Sequence, residues 1–530
     1  NVLIQKNELR DLVATIHEGR VAGSAITHIR ISRREHLAVI EAVVDEHGQP
    51  DLEAWKLAES EMSALEADPA VTHVHILARR PRKSQVRLAV ADIPAFGWRT
   101  YWAHPAQGIA SPVPARLSPL LKPLLPAAVR LASSPLGGRL LARLMPEAAK
   151  KAPFVIENEF LRLEANSQNG TLTLTDRRTG AEYHGLNRFE DGGDAGDEYN
   201  YSPPANDTRI TARLVSIKAF PQALPAVLEI HLSLLFPRCL AADRRSRSPE
   251  MVEIPVFSRI TLAPGVPRVE IHTQVENHVE DHRLRVHFPA PLDIPHADHD
   301  GHFEVVRRPL GVPEKQPDWV EHPRPEVPQR AFTDVSDGHN GLMVANRGLP
   351  EAEVLKTPAG VEIALTLLRS VGWLSRDDLS TRSGHAGPGL ATPGAQMAGV
   401  WHFDYAVIPH AGGWQAAYPL AYAFQTPLRG VVDSLHAGNL PAVGAFLACS
   451  PSEFVLSAVK GAEDGRGWIV RGCNLSAASL EVSLKPLFEF TTAALANLAE
   501  ESQTYFPPAA DGSLRFSVRG HEIATVRIEG

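Results

Sequence analysis

Residues 258–277, SRITLAPGVPRVEIHTQVEN, decide the fold. Two alternating runs flank the turn pair Pro264-Gly265, and in the second run Val269, Ile271, Thr273 and Val275 alternate with Glu270, His272, Gln274 and Glu276. A period of two sends these sets to opposite faces of a strand. One face is therefore buried and the other wet. Working outward, FLRLEANSQNGTLTLTDRRTG (160–180) repeats the device across Asn169-Gly170, the strongest short hairpin signal. Such strands run on to about Thr426 through a Pro-rich connector, GVPEKQPDWVEHPRPEVPQ. They resume from about Val431 to Gly530 in GWIVRGCNL, ASLEVSLKPL, SLRFSVRG and EIATVRIEG. Few long helical patterns interrupt them, so the fold is mainly β, built from antiparallel β-sandwiches.

Residues 1–105 read differently. NELRDLVATIHEG has helical spacing, AITHIRISRREHLAVIEAVVDEHGQPD reads as two strands joined near Arg33 to Glu35, and DLEAWKLAESEMSALEAD is an amphipathic helix with Leu52, Trp55, Ala58, Met62 and Leu65 on one face. VTHVHILARR and SQVRLAVADIP complete a small α+β unit. His73 and His75 share one strand face, a spacing open to metal binding but lacking a third ligand. Residues 106–153 form a Leu-, Ala- and Pro-rich basic stretch. It is read as a helical linker or insertion, with a membrane surface or partner groove as the other option. The organisation expected is thus 1–105, 106–153, a large sandwich 154–430 and a C-terminal sandwich 431–530.

The chain's 530 residues suffice for several cores, and 44% apolar with 22% charged residues exclude disorder throughout. A net charge of −8 gives no basic field for a phosphate backbone, so no nucleic-acid partner is expected. Three scattered cysteines, Cys239, Cys449 and Cys473, do not make a disulfide framework. No run of 18 apolar residues is present, so no membrane span is expected, and the opening NVLIQKNELRD lacks the pattern of a signal peptide. These readings place the chain in a bacterial cytoplasm. Residue 1 is Asn and not Met, so either residues have been removed or the chain begins inside a longer protein.

Three stretches are candidates for chemistry. FEDGGDAGDEYNYSPP (189–204) gathers Glu190, Asp191, Asp194, Asp197 and Glu198 beside Tyr199 and Tyr201. Such a loop could bind calcium, grip a sugar, or simply be solvated. PHADHDGH spaces His296, His299 and His302 by three, either a metal site or a polar turn between strands. LLRSVGWLSRDDLSTRSGHAGP (367–388) carries Arg369, Arg376 and Arg382 with Asp377 and Asp378, for ligand contacts or for structural pairing. Nucleophile elbows, phosphate loops and dinucleotide fingerprints are absent from the sequence.

Taken in order, VIENEFLRL, GTLTLTDRRTG, FEDGGDAGDEYNYSPP, ENHVEDHRLRVHFP, FEVVRRP, FTDVSDGHNGLMVANRGLPEAEV, LLRSVGWLSRDDLSTRSGHAGPG and HEIATVRIE resemble the C-terminal β region of glycoside hydrolase family 38, the retaining zinc-dependent α-mannosidases. The resemblance covers roughly residues 155–530. It implies a galactose-mutarotase-like supersandwich downstream of a catalytic barrel and a helical bundle. That barrel and bundle would hold the zinc, an Asp nucleophile and a carboxylic acid/base. Their signature His-x-Asp-x-x-Trp is not in this sequence, so this chain is expected to be the non-catalytic half, inactive alone, with no catalytic residue or cofactor of its own. By the same resemblance Tyr199 and Arg369 line the sugar pocket, Arg376 is the alternative to Arg369, and Asp197 also binds substrate. The implied partners are a mannose-containing oligosaccharide or glycoside and the catalytic domain, in cis or in trans, and an oligomer is compatible. The alternative functions are a stand-alone carbohydrate-binding sandwich and a mutarotase-like epimerase.

Overall fold

The computed structural model describes residues 2–22, 24–45, 48–79, 88–102, 154–433 and 438–530. Contacts divide the chain into two compact units, Asn1–Leu88 and Ala89–Gly530.

The first unit is a five-stranded sheet whose order is Val2–Gln5, His73–Arg79, Leu37–Asp45, Ser24–Arg34, Arg20–Val21. Helix Leu52–Ala67 buries Trp55, Ala58, Met62 and Leu65 against Ile26, Ala38, Ile40 and Val74, while Leu52 stays exposed. The Asp51 carboxylate starts this helix by accepting the Ala54 amide at 2.9 Å. His73 turns to the Thr72 hydroxyl at 3.0 Å. The segment SQVRLAVADIP differs from its expected strand. Residues 84–87 lie outside the described residues, and 88–94 have no regular structure.

In the second unit a nine-stranded antiparallel sheet shares one continuous core with a six-stranded and a four-stranded sheet. The deciding hairpin supplies two of the nine strands, Met251–Leu262 and Val269–Asn277, paired in register from Val256↔Val275 to Leu262↔Val269. Val269, Ile271, Thr273 and Val275 are buried as the alternation predicts. Thr273 is satisfied inside the core by a hydroxyl chain: Ser258 Oγ at 2.9 Å, Tyr405 Oη at 2.7 Å, and from Tyr405 to Asn187 Oδ1 at 2.7 Å. The hairpin Leu161–Ala165 and Leu172–Asp176 turns through Gly170 at φ +77°. A Cβ there would sit 2.9 Å from Leu232 and 3.1 Å from Leu214, so glycine is required for space as well as for dihedral.

The last stretch forms a sandwich of three- and five-stranded sheets around Leu484, Val482, Val470, Phe516 and Ile528. Between this sandwich and the nine-stranded sheet lies helix Tyr418–Gln425, where strands were expected to continue. Its Tyr418, Ala421 and Phe424 share a core with Phe332, Met343, Ala406 and Ile408 on one side and with Cys473 and Leu475 on the other. Strand Gly97–Arg99 pairs with Val443–Ala445 and belongs to the second unit. Residues 89–102 therefore group with the second unit and not with the N-terminal unit as their sequence was read. The basic stretch 106–153 lies outside the described residues.

Candidate functional site

The six-stranded sheet brings the acidic loop and the arginine loop together at one of its ends. Strand Arg188–Gly193 runs out into 194–204, strand Gly360–Ser370 runs out into 371–398, and His282–Ala290 lies between them. Register pairs Gly193 with His282 and His282 with Ser370, so both loops leave the sheet side by side.

Charge pairing across these loops buries most of the acids. Asp194 accepts Arg369 Nε at 2.8 Å and its terminal nitrogen at 2.7 Å, plus the amides of Gly196 at 2.9 Å and Ser202 at 3.2 Å. Asp197 accepts the amides of Tyr199 at 3.1 Å, Asn200 at 2.9 Å and Arg376 at 2.8 Å, and Arg382 at 2.5 Å. A carboxylate offers about four acceptor positions; Asp194 accepts four bonds, and Asp197 accepts a fifth, longer one from a second Arg382 nitrogen at 3.4 Å. Both are fully buried. Burial opposes ionisation of Asp197, but Arg382 and the backbone amides outweigh it and hold the carboxyl below its ordinary range. Burial pushes the Asp194 carboxyl up against the pull of Arg369. A third acid, Asp191, is held between Arg247 at 2.5 Å and His282 Nδ1 at 2.6 Å. The ring of Tyr201 lies buried under the Arg283 guanidinium, 3.4 Å from its centroid.

This interior fixes what remains outside. Tyr199 is 53% exposed, and the Glu198 amide beside it donates to the Trp373 carbonyl at 3.1 Å. The Tyr199 ring lies on Gly387, where a Cβ would stand 2.8 Å from the phenol oxygen. Arg376 stacks over Trp373 at 5.1 Å and pairs with Asp378 at 2.6 and 2.7 Å. The rim thus presents a phenol, an indole and a guanidinium, groups that bind sugar hydroxyls and ring faces.

Of the residues expected in the pocket, Tyr199 and Arg376 stand on this rim. Asp197 does not, because its acceptor positions are filled; it organises the loop. Arg369 is turned inward to Asp194 and to the Asp197 carbonyl at 3.0 Å, which makes it a positioning group. The solvated-loop reading fails at Asp191, Asp194 and Asp197, whose counter-charges come from distant segments. His296, His299 and His302 are not brought together. The stretch is strand His296–Asp300 and not a turn, so its period of two places His296 and His299 on opposite faces. His299 is buried against the Thr333 hydroxyl at 2.9 Å, while His296 and His302 are exposed. Among the described residues no three His, Cys, Asp or Glu side chains form a group able to hold a metal. Sequence reasoning missed Arg247, His282 and Arg283 as partners of the loop. The string ENHVEDHRLRVHFP carried the signal, since Arg283, Arg285 and His287 alternate with Leu284, Val286 and Phe288, which marks a strand facing a second, ionic layer. An open cleft of about 410 Å³ lies elsewhere, between Pro291–Ile294 and Lys356–Val361.

The family model for the glycosyl hydrolases family 38 C-terminal domain matches residues 156–379, and the model for the family 38 C-terminal beta sandwich domain matches 453–526. This chain is a glycoside hydrolase family 38 C-terminal region. The family 38 chain is 28% identical over 395 residues to a putative mannosylglycerate hydrolase of Halalkalibacterium halodurans, covering 71% of this chain and 41% of that protein. It is 29% identical over 214 residues to mouse alpha-mannosidase 2C1, covering 38% of this chain and 17% of that protein. Among solved structures, an alpha-mannosidase from Enterococcus faecalis V583 superposes with a TM-score of 0.61 at 29% identity, covering 71% of this chain and 42% of that one. The chain therefore spans less than half the length of the relatives it matches.

Proposed function

We propose that this chain is the non-catalytic β half of a retaining α-mannosidase-type glycoside hydrolase, and that the 189–204 loop completes the sugar pocket of a catalytic domain supplied in cis or in trans. The observation that carries this reading is the construction of the loop: two saturated ion pairs, Asp194–Arg369 and Asp197–Arg382, hold Tyr199 out into solvent next to Trp373 and Arg376. Buried pairs of this kind fix geometry more than they add stability. Family membership and the named activities of the relatives supply the reaction class and the substrate class, α-mannosides, with mannosylglycerate as one example.

On this reading the catalytic domain's two carboxylates carry the double displacement, and zinc, when bound, orients sugar hydroxyls from that domain. This chain's part is to bind and exclude water. The Tyr199 phenol hydrogen-bonds a mannose hydroxyl, Trp373 and Arg376 border it, and Arg369 and Asp197 keep the loop in place. The three cysteines are unpaired and no helix among the described residues is long and apolar enough to cross a membrane, which supports placing the protein in the cytoplasm.

The test is α-mannoside hydrolysis by the protein encoded by the whole reading frame that contains this chain, with Tyr199→Phe as the variant. Losing one hydrogen bond worth about 0.5–1.5 kcal/mol lowers kcat/KM by about two- to thirteenfold, with an unchanged thermal transition. Unchanged kcat/KM removes Tyr199 from the pocket, and hydrolysis by the 530-residue chain alone would overturn its assignment as the non-catalytic half.

A further inference from the structure

The wet face of the nine-stranded sheet carries a cluster that the sugar pocket leaves unused. In the register of Val269–Asn277 with Gly399–Ala411, His272 stands opposite Asp404 and Gln274 opposite His402. Ile271, Thr273, Phe403 and Tyr405, which alternate with them, are buried, so His272, His402 and Asp404 share the outer face. His272 and Asp404 each keep 39% of their side chain exposed, and His402 is exposed. The cluster is open to solvent.

An ionised carboxylate only accepts, so the 2.8 Å contact of Asp404 Oδ1 is made by a proton on His272 Nδ1. In the neutral ring this leaves Nε2 as a lone pair. That nitrogen faces His402 Nδ1 across 3.3 Å, with ring centroids 5.3 Å apart and planes inclined by 22°. Two imidazole nitrogens bound to one cation at about 2.0–2.1 Å, at the tetrahedral angle, stand about 3.3–3.4 Å apart. The gap between the rings matches that edge. Asp404 acts from the far side of His272, with Arg347 4.0 Å from its other oxygen, which is the place of a carboxylate that orients a metal-binding imidazole. The chain thus supplies two nitrogen donors and one orienting acid, and water supplies the other ligands. In the exposed pairs His278–Glu276 and His184–Glu182, no second imidazole meets the ring among the described residues.

We propose that His272 Nε2 and His402 Nδ1 chelate a divalent transition-metal cation, Zn²⁺, Ni²⁺ or Cu²⁺, on the solvent face of the nine-stranded sheet, with Asp404 as the positioning residue. Imidazole nitrogen suits these ions, whereas Mg²⁺ seeks oxygen. The two donors are 130 positions apart in the chain and meet only through the pairing of their strands. The cation therefore binds the folded chain and raises its thermal transition. The proposal stands independently of the sugar-pocket reading.

The experiment titrates the 530-residue chain, made without a histidine tag, with zinc chloride and with nickel chloride at about pH 7.5, where free imidazole is mostly neutral. Calorimetry reads affinity, and the thermal transition reads coupling to folding. The expected result is a transition raised by Zn²⁺ and Ni²⁺ but not by Mg²⁺, and a site whose affinity drops at least tenfold in His272→Asn and in His402→Asn. His73→Asn, in the N-terminal unit, keeps that affinity within twofold. Asp404→Asn retains an acceptor for His272 but not the charge, and lowers the affinity at least threefold. A wild-type chain that binds neither cation, an equal shift in Mg²⁺, or a smaller drop in either folded variant, H272N or H402N, overturns the proposal. A loss in H73N equal to theirs also overturns it, because it marks scattered surface coordination. Should H272N or H402N lose its thermal transition without metal, D404N decides, and a drop below threefold there overturns the site.

Discussion

Replacing Asp197 by asparagine tests whether the loop is held by charge. The carboxylate is fully buried and its partner Arg382 is 2% exposed. An asparagine can keep the oxygen that accepts the Tyr199 and Asn200 amides, but its NH2 group then faces the Arg376 amide and the Arg382 guanidinium, donor against donor. Removing one member of a buried pair costs about 3–5 kcal/mol, mostly because the other charge is left unpaired. At about 1.36 kcal/mol per decade, the loop-opening equilibrium rises by about two to four decades. Native-state hydrogen exchange reads this at the amides of Gly196, Tyr199, Asn200, Ser202 and Arg376, all of which donate to the two acids. Arg376→Gln is the control, because its pair with Asp378 is partly solvated and worth about 0–1 kcal/mol. The double variant Asp197→Asn with Arg382→Met removes both charges and is expected to recover part of the loss. Exchange in D197N within fivefold of wild type at these amides would refute the view that buried ion pairs position Tyr199.

Gly387→Ala puts a methyl 2.8 Å from the Tyr199 phenol oxygen; the ring swings away, and kcat/KM on an α-mannoside falls as in Tyr199→Phe while the thermal transition stays put. Gly170→Ala meets both a φ of +77° and three aliphatic side chains within 3.2 Å, so a loss of about 1–3 kcal/mol in urea unfolding is expected, and a neutral outcome would disprove the packing at that turn. Burial, with help from the Arg308 charge, drops His299 from 6.5 to about 4. The unfolded ring takes its proton first, so stability is at its plateau above about pH 6.5 and falls by up to about 3 kcal/mol toward pH 4. His299→Leu should lack that component of the slope, and parallel wild-type and variant curves would count against it.

The β architecture was legible because the apolar period is strict where one face is wet. Val269 to Val275 and the Asn169-Gly170 turn are local signals, and local signals survive in a sequence. Where strands are buried on both faces, as in His282–Ala290, the inner polar face looks like a surface and the pattern misleads. The same holds for His296–Asp300, whose charges read as a turn because their partners arrive from elsewhere in the chain, Arg307 at 2.8 Å from a neighbouring strand and Arg330 at 3.1 Å from the loop before Phe332–Ser336. Tyr199 was singled out through family likeness, not through any local spacing. That Asp197 is a brace and not a ligand depends on Arg382, 185 positions away. No spacing rule connects such residues, and only the sheet register brings them together.

The nine-stranded sheet also bears on how the family's units are cut. The first family match stops at residue 379, but strand Gly399–Ala411 lies in the middle of that sheet, between Val269–Asn277 and Asn340–Arg347. A fragment ending where the sequence family ends would lack its central stave. It would leave two raw edges, open to each other or to a neighbouring molecule. The module that recurs across genes is thus shorter than the one that can stand on its own, and a recombinant boundary placed after Gln425 respects the sheet where one at 379 splits it.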